Sequence, residues 1–265
     1  MGFKKNLVVA LCAAVAAISI VHASTDEAGW EQIKDSDGIQ VWRKELKDSP
    51  VVAFRGAAVV DASIAKVAQI LSDTSRKLEW VAKIKEAKDI RTVSPTERIE
   101  YNHTGTPWPI TDRDFVFSAK VEGNREKGQL MVLIKSVEDP LMPETKNVRG
   151  KLYGSLYTLT SIEGGKKTKV MVEIHADPMG SIPKWVVNLF QKSWPSKTLE
   201  GIQKQAAKKD VPELAVVNAF FEGSSTSLAG VMGGVSPVAS LAPASVVTDT
   251  TKTSSSSAQE AQKKN

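Results

Sequence analysis

Asp112, Arg113 and Asp114 stand side by side in the run PWPITDRDFVF at 107–117, directly before an apolar, strand-like segment. Two carboxylates flanking a guanidinium have two uses. As chemistry, general acid and base work requires a carboxyl shifted by burial and held within reach of a substrate. As structure, Arg113 would bridge the two carboxylates or cap carbonyls where the strand starts, with Pro107, Trp108 and Pro109 stiffening the approach. Close neutralising partners favour the structural clamp. Other reactive patterns are sparse. His103 and His175 are the only histidines beyond the N-terminal segment, and neither a His-x-x-x-His spacing nor a cysteine pair offers a metal site. No Gly-x-Ser-x-Gly elbow, Gly-x-Gly-x-x-Gly turn or phosphate loop occurs. No catalytic residue, metal or cofactor is expected, and the chain reads as a non-enzyme.

The elements that position these residues follow from periodicity. Strand-like stretches at 38–46 and 51–60 precede a helix capped by Asp61 or Ser63, with Ile64, Val67, Ala68 and Leu71 on one stripe. Asp73 and Thr74 open a second helix through Leu78 and Val81. Strands at 97–103, 114–122, 129–137, 152–162 and 168–176 come next, then a long helix from 183 toward 209. This order predicts an α+β fold, a curved antiparallel sheet wrapped around a long C-terminal helix, with two short helices after the second strand. Alternation puts Phe115, Phe117, Ala119 and Val121 on one face, with Leu130, Val132, Ile134 and Val170, Val172, Ile174 repeating the pattern. Ordinary core and cavity wall both fit these faces. On the strand at 97–103, Ile99, Tyr101 and His103 read as the inner face. Tyr153, Tyr157 and Glu173 could face either way. The helix presents Val186, Phe190, Leu199, Ile202 and Ala206 to the sheet. Pro195 lacks an N–H and Gly201 weakens the helix, so the pair is expected to act as a hinge that gates the interior; the alternative is a second helix starting at Pro195 after a break near Trp194.

The ends of the chain read differently from its middle. Lys4 and Lys5 precede an apolar run from Leu7 to Val21, and small residues follow, which predicts a removable signal peptide at 1–23 and an exported protein, periplasmic in a Gram-negative bacterium and secreted otherwise. Cys12, the only cysteine, leaves with it. Loss of two lysines leaves 33 basic against 30 acidic residues, a mild +3. That argues against nucleic acid and is compatible with transient contact with anionic membranes. Residues 24–212 are expected to form one domain and a monomer, and 213–265, rich in Ser, Thr, Ala, Val and Gly, to be a disordered low-complexity tail.

Two motifs carry a family resemblance: PWPITDRDFV at 107–116, and DPMGSIPKWVVNLF at 177–190, with its Asp-x-x-Gly-x-x-Pro-Lys followed by Asn. Together with the element order from about 27 to 210, they resemble bacterial members of the START (steroidogenic acute regulatory protein-related lipid transfer) domains. The resemblance implies that 24–212 is a lipid-binding domain with the helix-grip fold and a closed hydrophobic cavity for one lipid or other apolar small molecule, without metal or redox cofactor. It implies lipid transport, with a polyketide cyclase or aromatase-like enzyme, or a ligand-responsive sensor, as the alternatives. Cavity candidates are Glu100, Tyr101, His103, Phe115, Phe117, Ala119, Val132, Val172, Phe190 and Leu199. Glu100 aligns with a cavity-facing acid of animal sterol-binding members, which conflicts with an inward Tyr101 unless the strand bulges. Ala119 stands where those members carry the arginine that pairs with this acid, so an inward Glu100 would need another donor.

Overall fold

The computed structural model describes residues 29–49, 51–182 and 184–232, with side chains outside that description at 184–186 and 188–191. The expected signal peptide and the side chains of Val186 and Phe190 fall outside it. Three strands open the fold: β1 (Glu31–Ser36), β2 (Ile39–Lys44) and β3 (Ala53–Val60). Helix α1 (Ile64–Ser72) and a 3-10 turn (Thr74–Glu79) follow. Then come β4 (Ile84–Ser94), β5 (Glu97–Thr104), β6 (Arg113–Asn124), β7 (Gln129–Ser136), the short β8 (Val148–Arg149), β9 (Lys151–Ile162) and β10 (Lys167–Asp177). Helices α2 (Lys184–Ala206) and α3 (Ala215–Phe221) complete it.

The sheet runs β1-β2-β3-β10-β9-β7-β6-β5-β4 with antiparallel neighbours throughout, and β8 pairs parallel with the start of β6. The curved sheet and α2, which packs on β3, make the α+β helix-grip arrangement. Ser63 caps α1 by accepting the Lys66 N–H at 3.2 Å, and Ile64, Val67, Ala68 and Ile70 bury its inner stripe. Against them pack the inner faces of β6, β7, β9 and β10 and the C-terminal half of α2, where Leu199 and Ile202 are fully buried.

Four expectations are corrected here. The short helical elements follow the third strand, because β1 precedes them, and the second is a 3-10 turn. A whole strand, β4, occupies 84–94 at the sheet edge, where its register with β5 slips three times. Helix α2 is continuous through Pro195, with no break at Trp194. The ordered chain also extends past 212: Val217, Phe220, Leu228, Val231 and Met232 are buried, and Arg125 donates to the Phe220 carbonyl at 2.7 Å with its guanidinium over that ring.

Candidate functional site: a lined cavity under the helix

Between the sheet and α2 lies a cavity of about 570 Å3. Register explains its walls. Ala119, Ile134, Ser155, Ile174 and Phe54 are successive partners across β6, β7, β9, β10 and β3, so their side chains share one face, and all five line the cavity. Phe115 and Phe117 line it above this row, Val132 and Tyr157 below it. Trp80, Val81 and Ile84 close the side toward the 3-10 turn, and Val187 and Trp194 of α2 the roof.

Polar groups enter along β5. The strand pairs with β6 in unbroken register, Glu100 opposite Phe117 and Asn102 opposite Phe115, so the even-numbered side chains face inward. Tyr101 and His103 are therefore not cavity residues. Tyr101 belongs to a second apolar cluster on the outer face with Ile99 and Val116, and that cluster accounts for the misleading alternation. His103 turns outward to Asp112, Nε2 to Oδ2 at 2.8 Å.

Glu100 is 2 % exposed and has its partners after all. Lys77 Nζ donates to Oε2, and Arg98 Nε to Oε1 at 2.7 Å. Arg98 also reaches Asp89 Oδ1 at 3.2 Å, which accepts from Thr74 Oγ1 at 2.7 Å. Burial pushes the Glu100 carboxyl up, yet Lys77 and Arg98 more than offset it and hold it below the usual carboxylate range. Burial, with Glu100 nearby, pushes the Tyr157 phenol up, so it stays a neutral donor. Two cations and two carboxylates cancel within this network. Nearby, Asn102 Oδ1, Ser155 Oγ and Trp80 Nε1 are buried without a hydrogen-bond partner among the described residues, and all three residues line the cavity. Lys77, Asn102, Trp80 and Phe54 were not singled out from sequence. A lysine in a short polar turn carries no signal of burial until its carboxylate is located on another element.

The charged trio behaves as three separate ties. Arg113 bridges neither neighbour: its guanidinium donates to the carbonyls of Thr111, Pro178 (3.1 Å) and Met179 (3.0 Å). Asp112 accepts from Lys85, from the Thr106 N–H at 2.9 Å and from His103, which together pull its carboxyl far below the ordinary range. Asp114, fully buried, accepts from Arg149 at 2.7 Å and Thr145 at 2.6 Å. Burial raises the Asp114 carboxyl, and these donors outweigh it and bring it down. Arg113 thus joins the two motifs at 107–116 and 177–190. The loop at 178–180, where Met179 and Gly180 take positive φ, is held against the loop that precedes β6, and both border the cavity mouth.

Phe115, Phe117, Ala119 and Val132 line the cavity as expected positions, while Val172 and Leu199 are buried beneath it in the core. Leu199 and Pro195 instead seat α2 on β3: a Cβ on Gly56 would lie 3.0 Å from Leu199 Cδ1 and 2.8 Å from Pro195 Cβ. A Cβ on Gly201 would run into the backbone carbonyl of Trp80. Both expected hinge residues are close-packing points. The physical reason is the close approach of α2 to β3 and to the 3-10 turn, which the missing side chains of Gly56 and Gly201 permit.

The START domain family matches residues 11–205. An uncharacterized protein of Pseudomonas aeruginosa is 27% identical over 181 residues, covering 68% of this chain and 88% of its own. Bovine phosphatidylcholine transfer protein is 26% identical over 170 residues, 63% of this chain and 78% of its own. Among solved structures, a StAR-related lipid transfer protein from Xanthomonas axonopodis superposes with a TM-score of 0.60 at 27% identity, covering 68% of this chain and 100% of that one. Human StAR-related lipid transfer protein 5 gives a TM-score of 0.64 at 23% identity, over 69% and 88%, and speaks for the fold alone. With the sheet, α2 packed on it, the cavity between them and this match over most of its length, the chain belongs to the START domain family.

Proposed function

We propose that this protein holds one lipid, or a similarly apolar molecule, in the cavity beneath α2 and carries it between membranes. The observation that carries the proposal is the cavity itself: about 570 Å3, walled by aromatic and aliphatic side chains, with its buried charges already paired to one another. That volume lies within the range of small-molecule sites. A guest does not need to supply charge there. Asn102 Oδ1 can accept from a hydroxyl or amide of the guest, which orients the molecule with its polar end along β5. The names of the bovine and Xanthomonas relatives, both lipid transfer proteins, support the same reading. Export through the expected signal peptide would place this carrier in an aqueous compartment, where apolar molecules need a shield to cross. Trp108, 92 % exposed in the loop between β5 and β6 beside the mouth, supplies an apolar tip for touching a bilayer.

Native mass spectrometry of gently purified protein, followed by extraction and lipid analysis, tests the proposal. About one apolar molecule per chain is the expected result. Repeated recovery of empty protein that also takes up no fluorescent lipid from vesicles would overturn it.

A further inference from the structure

The inner face of the sheet passes from cavity to solid core across two adjacent rows of residues. In the row Val121–Val132–Tyr157–Val172–Gly56, Val132 and Tyr157 still touch the cavity. In the next row, Gly123–Leu130–Leu159–Val170–Ala58, none does. A floor therefore lies between these rows, one strand step of about 7 Å for two residues. Part of that floor is α1 and the second half of α2. The rest is made by the segment that follows α2.

That segment, 207–232, lies beyond the stretch matched by the family, which ends at residue 205. It is fastened at both ends and in the middle. The Leu214 N–H donates to the Ala65 carbonyl at 3.2 Å, Arg125 to the Phe220 carbonyl at 2.7 Å, and the Gly230 N–H to the Pro95 carbonyl at 3.0 Å. Gly123 has no side chain because the segment takes its place: a Cβ there would sit 2.7 Å from Leu228 Cδ1 and 2.8 Å from Phe220 Cε1. At its end Met232 is 3 % exposed, and it is the one residue of the segment that borders the cavity. Its carbonyl accepts from Arg98 Nη1 at 3.5 Å, so the floor is tied to the network that holds Glu100.

We propose that residues 207–232 are a floor added to the cavity and that Met232 sets the length of the apolar guest. The proposal rests on the carrier reading above, and it assigns specificity to a residue outside the matched family span. Methionine suits the role, being unbranched and apolar, so its side chain fills the end of the cavity without a polar group for a guest to desolvate. A larger side chain at this position raises the floor, and a smaller one lowers it. The walls, the mouth and the charged network stay as they are.

The test is a homologous series of straight-chain primary alcohols of increasing length, each measured for displacement of a pyrene-labelled fatty alcohol from the full-length protein. Met232→Trp is expected to bind short alcohols as wild type does and to lose affinity beyond a shorter limit, about fourfold for each carbon left in water. Met232→Ala is expected to extend the limit toward longer chains, and Met232→Leu to match wild type. Thermal melting of each variant accompanies the titrations, and Met232→Ala, which only removes atoms, still tests the floor if the tryptophan variant does not fold. An identical length limit in all folded variants overturns the floor assignment alone. Failure of wild type to bind the labelled alcohol or any member of the series overturns the carrier reading and the length gauge together.

Discussion

Glu100 is held by two cations at once, and the consequences are asymmetric. Its paired form is tolerable at 2 % exposure only because Lys77 and Arg98 are both in place. Glu100→Gln keeps the shape and removes the charge, leaving two buried cations with Asp89 as their remaining carboxylate, so it is expected to cost about 3–5 kcal/mol, read as a lowered urea midpoint near neutral pH. The pH dependence has a definite sign. The folded carboxyl lies below its unfolded value of about 4.3, so its stabilisation is fully present above that pH and is lost as the pH falls through the folded value. The variant should therefore lose less stability than wild type between about pH 5 and about pH 3, though Asp112 and Asp114, also depressed, keep part of the acid sensitivity. Equal acid losses in the two proteins would show that Glu100 is not ionised in the native state. From sequence, this residue was ambiguous for a physical reason. Strand β5 is buried on both faces, its outer side under the cluster of Ile99, Tyr101 and Val116, so apolar alternation marked the wrong face. Only the alignment of Glu100 with the cavity-facing acid of animal sterol-binding members pointed to the right one, and its partners sit on a turn and two positions away on the same strand.

Elements were legible where one face meets water and one meets the core. Strands β6, β7, β9 and β10 and helix α1 alternate plainly, and their expected ranges fall close to the observed ones. Edge strands were not legible. β1 reads EQIKDS and β4 reads IKEAKDIRTVS, both rich in charge, which protects an edge from pairing with another sheet and erases the apolar pattern that would reveal a strand. α3 was hidden in another way. Its AVVNAFF resembles the small-residue, apolar composition of the following tail, and only its docking on α1 and Gly123 distinguishes it. For α2, the residues read as a hinge are where the helix comes closest to its neighbours. This reverses the expected effect of substitution. Gly201→Ala places a methyl against the Trp80 carbonyl, backbone against backbone, and is expected to destabilise by about 1–3 kcal/mol despite its better helix propensity. A melting curve settles it: a gain in stability would mean that α2 and the 3-10 turn are not in contact at this point.

At the scale of the whole molecule, hydrogen bonds tie down both the network around Glu100 and the segment 207–232, so on the carrier reading proposed above exchange of a guest falls to the mouth. Arg113 fastens the loop before β6 to the loop after β10, and Val187 and Trp194 of α2 line the same cavity. Opening requires these three pieces to separate while the rest of the sheet stays paired. A membrane can favour that separation only if some part of the mouth gains by entering it. Trp108 is the part best suited: 92 % exposed, flanked by Pro107 and Pro109, and close to Ile110, which lines the cavity. Its ring has no packing role to lose, so Trp108→Asp should melt as wild type does and keep its guest in solution. Membrane contact should suffer. A large apolar side chain contributes about 1.5–3 kcal/mol when fully buried, so half-burial in a bilayer predicts a loss of roughly four- to twelvefold in the rate of transfer between donor and acceptor vesicles. Lys83 and Lys197 also stand at the mouth, so the assay is run at fixed ionic strength with and without anionic lipid to separate their electrostatic attraction from the ring's insertion. The wild-type protein should show a blue shift of tryptophan emission with vesicles that the variant lacks, while both retain the same emission in buffer apart from the missing residue. Transfer at the wild-type rate by a folded, loaded variant would remove Trp108 from the docking surface and assign membrane contact to the remaining mouth segments, 178–182 and the start of α2.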